Sequence, residues 1–118
     1  MTKIEYLNQI DKQIVDEKKV EKVQTRYGTK LPEIVQKIIS GCGDSLFLED
    51  GNRILSFEEI VDAENDLHVD FKGKGIIPLV DCKENDFIVY HFRIDEWSKF
   101  NIVEEIVFRK RSKVEDLL

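Results

Sequence analysis

The stretch from Phe87 to Ile94 constrains this chain more than any other. Ile88, Tyr90, Phe92 and Ile94 alternate with Phe87, Val89, His91 and Arg93, and both sets are apolar at the start of the run. A strand that is apolar on both faces is buried on both and sits centrally in its sheet. The preceding run, Ile76-Ile77-Pro78-Leu79-Val80-Asp81, is apolar and β-branched, and Lys83-Glu84-Asn85-Asp86 between the two reads as a turn. Pro78 cannot donate to a ladder, so it is expected at a strand entrance or an edge.

Helical signals precede this pair. Ile4, Leu7, Ile10 and Ile14, then Val20, Val23 and Tyr27, recur at helical spacing over residues 3–27. They predict one long helix or two, with a break near Asp16-Glu17 and a left-handed stop at Gly28. Leu31-Pro32-Glu33 opens another helix, with proline suited to its first position. Ile34, Val35, Ile38 and Ile39 form its apolar stripe, and Gly41 and Gly43 end it. Leu46-Phe47-Leu48 and Arg53-Ile54-Leu55 flank the turn sequence Glu49-Asp50-Gly51-Asn52, a hairpin pattern. Ser56 and Glu59 form a capping-box pattern for a helix over 57–64.

The later chain is less regular. Residues 65–75 read as a loop or a weak edge strand. Residues 95–100 read as a turn holding Trp97, and 101–108 as a strand. Ser112-Lys113-Val114-Glu115 reads as a cap for a terminal helical turn. The resulting order is helices, hairpin, helix, strands, helix. It predicts an α+β fold, a mostly antiparallel sheet with N-terminal, middle and C-terminal helices packed on it.

Composition narrows the function. At 118 residues the chain is one domain's worth. Its formal net charge of -6 argues against direct nucleic-acid binding, which rests on Lys and Arg displacing counterions. The same charge suits solubility, or the steering of a basic protein partner. Cys42 and Cys82 are too few and too far apart for a zinc site or a disulfide framework, and read as reduced, buried thiols. No run approaches the length of a membrane span, and the N-terminal residues lack the apolar core of a signal peptide. A cytoplasmic location and no membrane partner are expected.

Four segments carry a family resemblance. They are Tyr27-Gly28-Thr29-Lys30-Leu31-Pro32-Glu33-Ile34; Ile54-Leu55-Ser56-Phe57-Glu58-Glu59-Ile60; Gly75 to Asp81 with Asn85 to Tyr90; and Phe108 to Leu118. In this order the chain resembles the SUKH superfamily from about Val20 onward, with residues 1–19 as an N-terminal helical extension outside the resemblance. It departs from the family pattern at Ser40-Gly41-Cys42-Gly43, where the family often has an Asn-Gly-Gly-like turn. It departs again at Lys83-Glu84-Asn85, where a glycine-rich turn is common. The resemblance implies a single SUKH-like domain over 1–118 and an immunity role, in which a cognate toxin (a nuclease or another polymorphic toxin domain) is neutralised by direct binding. The alternative on the same fold is a regulatory scaffold or adaptor with an endogenous protein partner.

No residue pattern demands an enzyme, a metal or a cofactor. His68-Val69-Asp70 lacks a third ligand and reads more simply as exposed polar chain. A hydrolase using Cys42 or Cys82 with His68 or His91 needs a thiol and a base in contact; buried structural cysteines are the plainer account. Gly73-Lys74-Gly75 lacks the spacing of a phosphate loop, and Arg109-Lys110-Arg111 with Lys113 reads as a solvated turn. The carboxylates Glu49, Asp50, Asp81, Glu84 and Asp86 fall at turns expected at one end of the sheet, and form a candidate acidic rim for a basic partner. Asp95 and Trp97 add a candidate hot spot, tryptophan beside charge, although the plainer account of Trp97 is a large residue covering the end of the core.

Overall fold

The computed structural model describes residues 1–118. Helix α1 (Lys3–Asp11) starts at a capping box, in which the Thr2 hydroxyl accepts from the Glu5 N–H and the Glu5 carboxylate accepts from the Thr2 N–H. Helix α2 (Glu17–Tyr27) starts at Asp16, whose carboxylate accepts from the N–H groups of Lys18 and Lys19. The expected break is therefore the five residues before Glu17, closed by a second cap. Gly28 ends α2 in the left-handed region at φ 69°. Helix α3 (Glu33–Gly41) places Pro32 at the N-cap, one position earlier than expected.

Strands β1 (Leu46–Phe47) and β2 (Arg53–Ile54) form the expected hairpin around Gly51, at φ 91°. Helix α4 follows from Phe57 to Leu67, opened by the Ser56–Glu59 capping box. It runs three residues past the expected end, to a left-handed cap at His68. Residues Phe71–Lys74 then form a short helix, α5, where a loop or edge strand was expected. The Asp70 carboxylate accepts from the Gly73 N–H and initiates it. The alternation of Leu67, Val69 and Phe71 thus belongs to a helix end, its cap and a new helix start. His68 and Asp70 share no strand face.

Four strands complete the fold: β3 (Ile76–Asp81), β4 (Asp86–His91), β5 (Glu96–Asn101) and β6 (Ile106–Arg111). With β1 and β2 they make a six-stranded antiparallel sheet in sequential order. The fold is α+β, as expected. Strands β3 and β4 are buried along nearly their whole length, as two-faced apolarity requires. Pro78 lies mid-strand beside a register shift, at a point where β2, which pairs only with Val80 and Asp81, has already ended. Strand β3 is locally an edge there, and the missing N–H leaves no ladder bond unmade.

The register downstream differs from the sequence reading. Strand β4 stops at His91, and Phe92 to Asp95 reverse the chain, with Asp95 left-handed at φ 51°. The segment around Trp97 is strand β5 rather than a turn, and the next turn falls at Ile102 to Glu105. A short 3-10 turn (Val114–Asp116) ends the chain without the expected Ser112 cap.

Helices cover both faces of the sheet. Phe71 of α5 meets Phe100 edge to face at 6.0 Å on one face. Leu7 and Ile10 of α1 and Ile34 of α3 lie over Trp97 on the other. One contiguous core of 28 buried residues joins helices and sheet. Each fully buried aliphatic or aromatic side chain in it contributes about 1.5–3 kcal/mol. No helix is long and apolar enough to cross a membrane.

Candidate functional site

The register places three turns at one end of the sheet. Arg53 pairs with Asp81, Asp81 with Phe87, Asp86 with Asn101 and Asn101 with Ile106. The β1–β2, β3–β4 and β5–β6 turns therefore lie side by side. Glu49, Asp50, Asp81, Glu84 and Asp86 all belong to this end.

Polar bonds tie the turns together. Lys83 Nζ donates to the Asp50 carbonyl at 3.3 Å, linking the first turn to the second. The Asn101 side-chain amide donates to the Glu84 carbonyl and to Asp86 Oδ1, the latter at 2.9 Å, and the Ile102 N–H donates to the Asn85 carbonyl at 2.9 Å. These link the second turn to the third. Within the β1–β2 turn, Asp50 Oδ1 accepts from the Asn52 N–H at 3.0 Å.

The β3–β4 turn carries unusual backbone. Lys83, Glu84 and Asn85 are all left-handed, at φ 75°, 53° and 68°. Asparagine tolerates this region, but lysine and glutamate adopt it at a cost of order 1 kcal/mol each. No glycine occupies this turn, and Lys83, Glu84 and Asn85 make it themselves. The Lys83 ammonium donates to the Asp50 backbone carbonyl, and Glu84 extends into solvent.

The five carboxylates divide into two roles. Arg53 forms a two-pronged ion pair with Glu59 (2.6 and 2.9 Å) and a second with Asp81 at 3.3 Å. The hydrogen bond from Arg53 holds the Glu59 carboxyl below its ordinary range, and Glu59 in turn raises the guanidinium. Asp81 also accepts from the Lys83 N–H, and Asp86 accepts from Asn101. Asp81 and Asp86 are thus half-buried parts of the framework, whereas Glu49, Asp50 and Glu84 are exposed. Glu104, in the adjoining turn, adds an exposed carboxylate that the sequence reading missed. Its placement followed from the strand register, which the sequence reading had shifted.

Asp95 and Trp97 lie at the opposite end. Asp95 accepts from the Tyr90 hydroxyl at 2.8 Å. Trp97, expected in a turn, lies in β5 and is only 3% exposed, which fits the core-cover reading and removes it as an exposed hot spot. In β5 its side chain points away from those of its charged neighbours, packs on Tyr90 with ring centroids 5.0 Å apart, and floors a groove of about 340 Å³. Leu7, Ile10, Ile34 and Val114 line the walls. The breadth of the Ile34-to-Ile39 stripe was the sequence signal for this groove, since Ile34 at its margin is 39% exposed.

The other chemistry candidates separate in space. The Cys42 thiol donates to the Ile38 carbonyl at 3.1 Å, and burial pushes its pKa up to about 12. Burial also pushes Cys82 up to about 11. Neither thiol bonds to a histidine, and neither is poised as the thiolate that a nucleophile requires. His91 Nε2 lies 2.6 Å from Ser98 Oγ in a buried pair, and desolvation lowers its pKa. Ser98 has no exposed surface, so this pair serves the core. No group of three His, Cys, Asp or Glu side chains is placed to hold a metal ion.

No protein-family model, curated protein or solved structure matches the chain.

Proposed function

We propose that this chain is a protein-binding module of the immunity type, which neutralises a toxin domain by docking a basic surface of it on the acidic turn end of the sheet. The observation that carries this reading is the linked row of turns, which holds Glu49, Asp50 and Glu84 exposed on a hydrogen-bonded frame. A preorganised set of like charges loses little freedom on binding and accelerates encounter with an opposite charge. The net charge of -6 acts in the same direction. The resemblance of four segments to the SUKH superfamily supports the immunity role, and occlusion of the toxin's own site is the mechanism that needs no chemistry from this chain.

Calorimetric titration against whatever toxin-like domain a neighbouring reading frame encodes tests the proposal. A one-to-one complex is expected, weakened by added salt and by the triple substitution Glu49→Lys, Asp50→Lys, Glu84→Lys. A complex indifferent to both changes would move the interface to the groove floored by Trp97, whose lining mixes apolar residues with Asp11, Ser112, Lys113 and Glu115. Absence of binding at micromolar concentrations would remove the immunity reading and leave the scaffold role, to be pursued by unbiased pull-down.

A further inference from the structure

The two edges of the sheet are protected unequally. Strand β1 is two residues long and offers almost nothing to pair with. Strand β6 has six residues, bonds to β5 on one side only, and is open on the other. Ile106 at its start is 50% exposed, and Val107 and Phe108 are half-buried. A long open edge with apolar side chains is a template for another strand.

The charges around this edge are ordered. Glu104 and Glu105 end the turn that leads into β6, Ile106, Val107 and Phe108 begin the strand, and Arg109, Lys110 and Arg111 close it, so the chain reads acidic, then apolar, then basic. Glu104, Arg109, Lys110 and Arg111 are exposed and form no ion pair within the chain, while Glu105 pairs with Lys74 at 3.2 Å. Such a sequence is self-complementary when two copies run antiparallel. Each acidic end then lies beside the other copy's basic end, and Ile106 to Phe108 meet their counterparts at the centre. Parallel pairing would set like charge against like, and a partner strand of one charge sign would match only half of the edge.

We propose that two copies of this chain associate edge to edge through β6, with antiparallel strands related by a twofold axis. The arrangement is isologous and closes after two copies. Arg109, left-handed at φ 54°, bulges β6 after Phe108 and limits regular pairing to a short central stretch. The dimer is therefore reversible and dependent on concentration and salt.

Sedimentation of the intact chain over a micromolar-to-millimolar series tests this. The expected result is a shift from 13.8 kDa to twice that mass, reversed by salt. Two charge-reversed variants locate the interface: Glu104→Lys with Glu105→Lys, and Lys110→Glu with Arg111→Glu. Each alone should weaken self-association about tenfold or more, because like charges then face one another. An equimolar mixture of the two should dimerise again, since every reversed end meets a reversed partner; recovery in the mixture also shows that both variants are folded. A chain that stays monomeric throughout the series would overturn the proposal. So would dimers insensitive to both variants, or variants whose mixture stays monomeric.

Discussion

At one end of the sheet, the turns hold Glu49, Asp50 and Glu84 in solvent on a backbone that is partly left-handed and bonded from turn to turn. At the other end, Tyr90, His91, Trp97 and Ser98 are buried among the strands beneath the helices. Both ends are rich in polar and charged sequence: Lys83-Glu84-Asn85-Asp86 at the first, Arg93-Ile94-Asp95-Glu96 next to Trp97 at the second. The difference is that the first end consists of reversals, where every side chain can point outward. Trp97 instead lies one residue inside a strand, where alternation sends it inward. Charge next to an aromatic residue is thus no guide to exposure until the strand boundary is known.

This contrast predicts a graded set of responses. The largest belongs to Trp97→Ala, which removes the groove floor and the contact with Tyr90. A loss of about 3–5 kcal/mol is expected in denaturant unfolding. A loss under about 1 kcal/mol would mean that the groove end is not part of the core. Next is Arg53→Ala, which strips Glu59 and Asp81 of their shared cation at the turn end. With these groups part-exposed, about 1–2 kcal/mol is expected. The Glu59 pKa is lowered in the folded state, so the stability it contributes is present above its ordinary value of 4.5 and is lost as pH falls through the folded value. Arg53→Ala should flatten that acid limb, which a pH series of unfolding midpoints reads directly.

His91 at the far end titrates in a higher window. Its folded-state pKa is lowered from the ordinary 6.5, chiefly by burial, with Lys110 adding to the effect. Below pH 6.5 the unfolded chain takes up a proton that the folded chain refuses, so stability declines as pH falls from there through the folded value. His91→Asn should remove this slope; a slope unchanged in the variant would assign it to another group. Glu84→Gly addresses the left-handed turn and should raise stability by about 0.5–1 kcal/mol, seen as a higher midpoint, because glycine adopts that backbone freely. The smallest effect is expected for Glu49→Lys with Glu84→Lys, whose carboxylates make no hydrogen bond within the chain, within about 0.5 kcal/mol of the parent. A near-silent effect on folding combined with a large effect on toxin binding would identify these acids as surface retained for a partner.

Local chemistry was readable from sequence where the determining interaction spans only a few residues. The left-handed stop at Gly28, the Ser56–Glu59 box, the Asp50-Gly51 hairpin and the central β3–β4 pair are of this kind. So is the assembly of Glu49, Asp50, Asp81, Glu84 and Asp86 at one end, since consecutive antiparallel strands put alternate turns together. Errors came where two readings were locally equivalent. Residues 65–75 alternate like a strand, but Asp70 can cap a helix, and α5 is held by Phe71 reaching Phe100, 29 positions away.

By itself, then, the sequence determined the breaks at Asp16 and Gly28, the Ser56 helix start, the buried pair of strands and the acidic turns, because caps, turns and apolar alternation act over a few residues. The register of β4 against β5 and of β5 against β6, the burial of Trp97, and the division of the carboxylates into framework and free surface were decided only by tertiary structure. Each of those depends on partners that the chain brings together from a distance: Tyr90 with Trp97, Asn101 with Asp86, and Arg53 with Asp81.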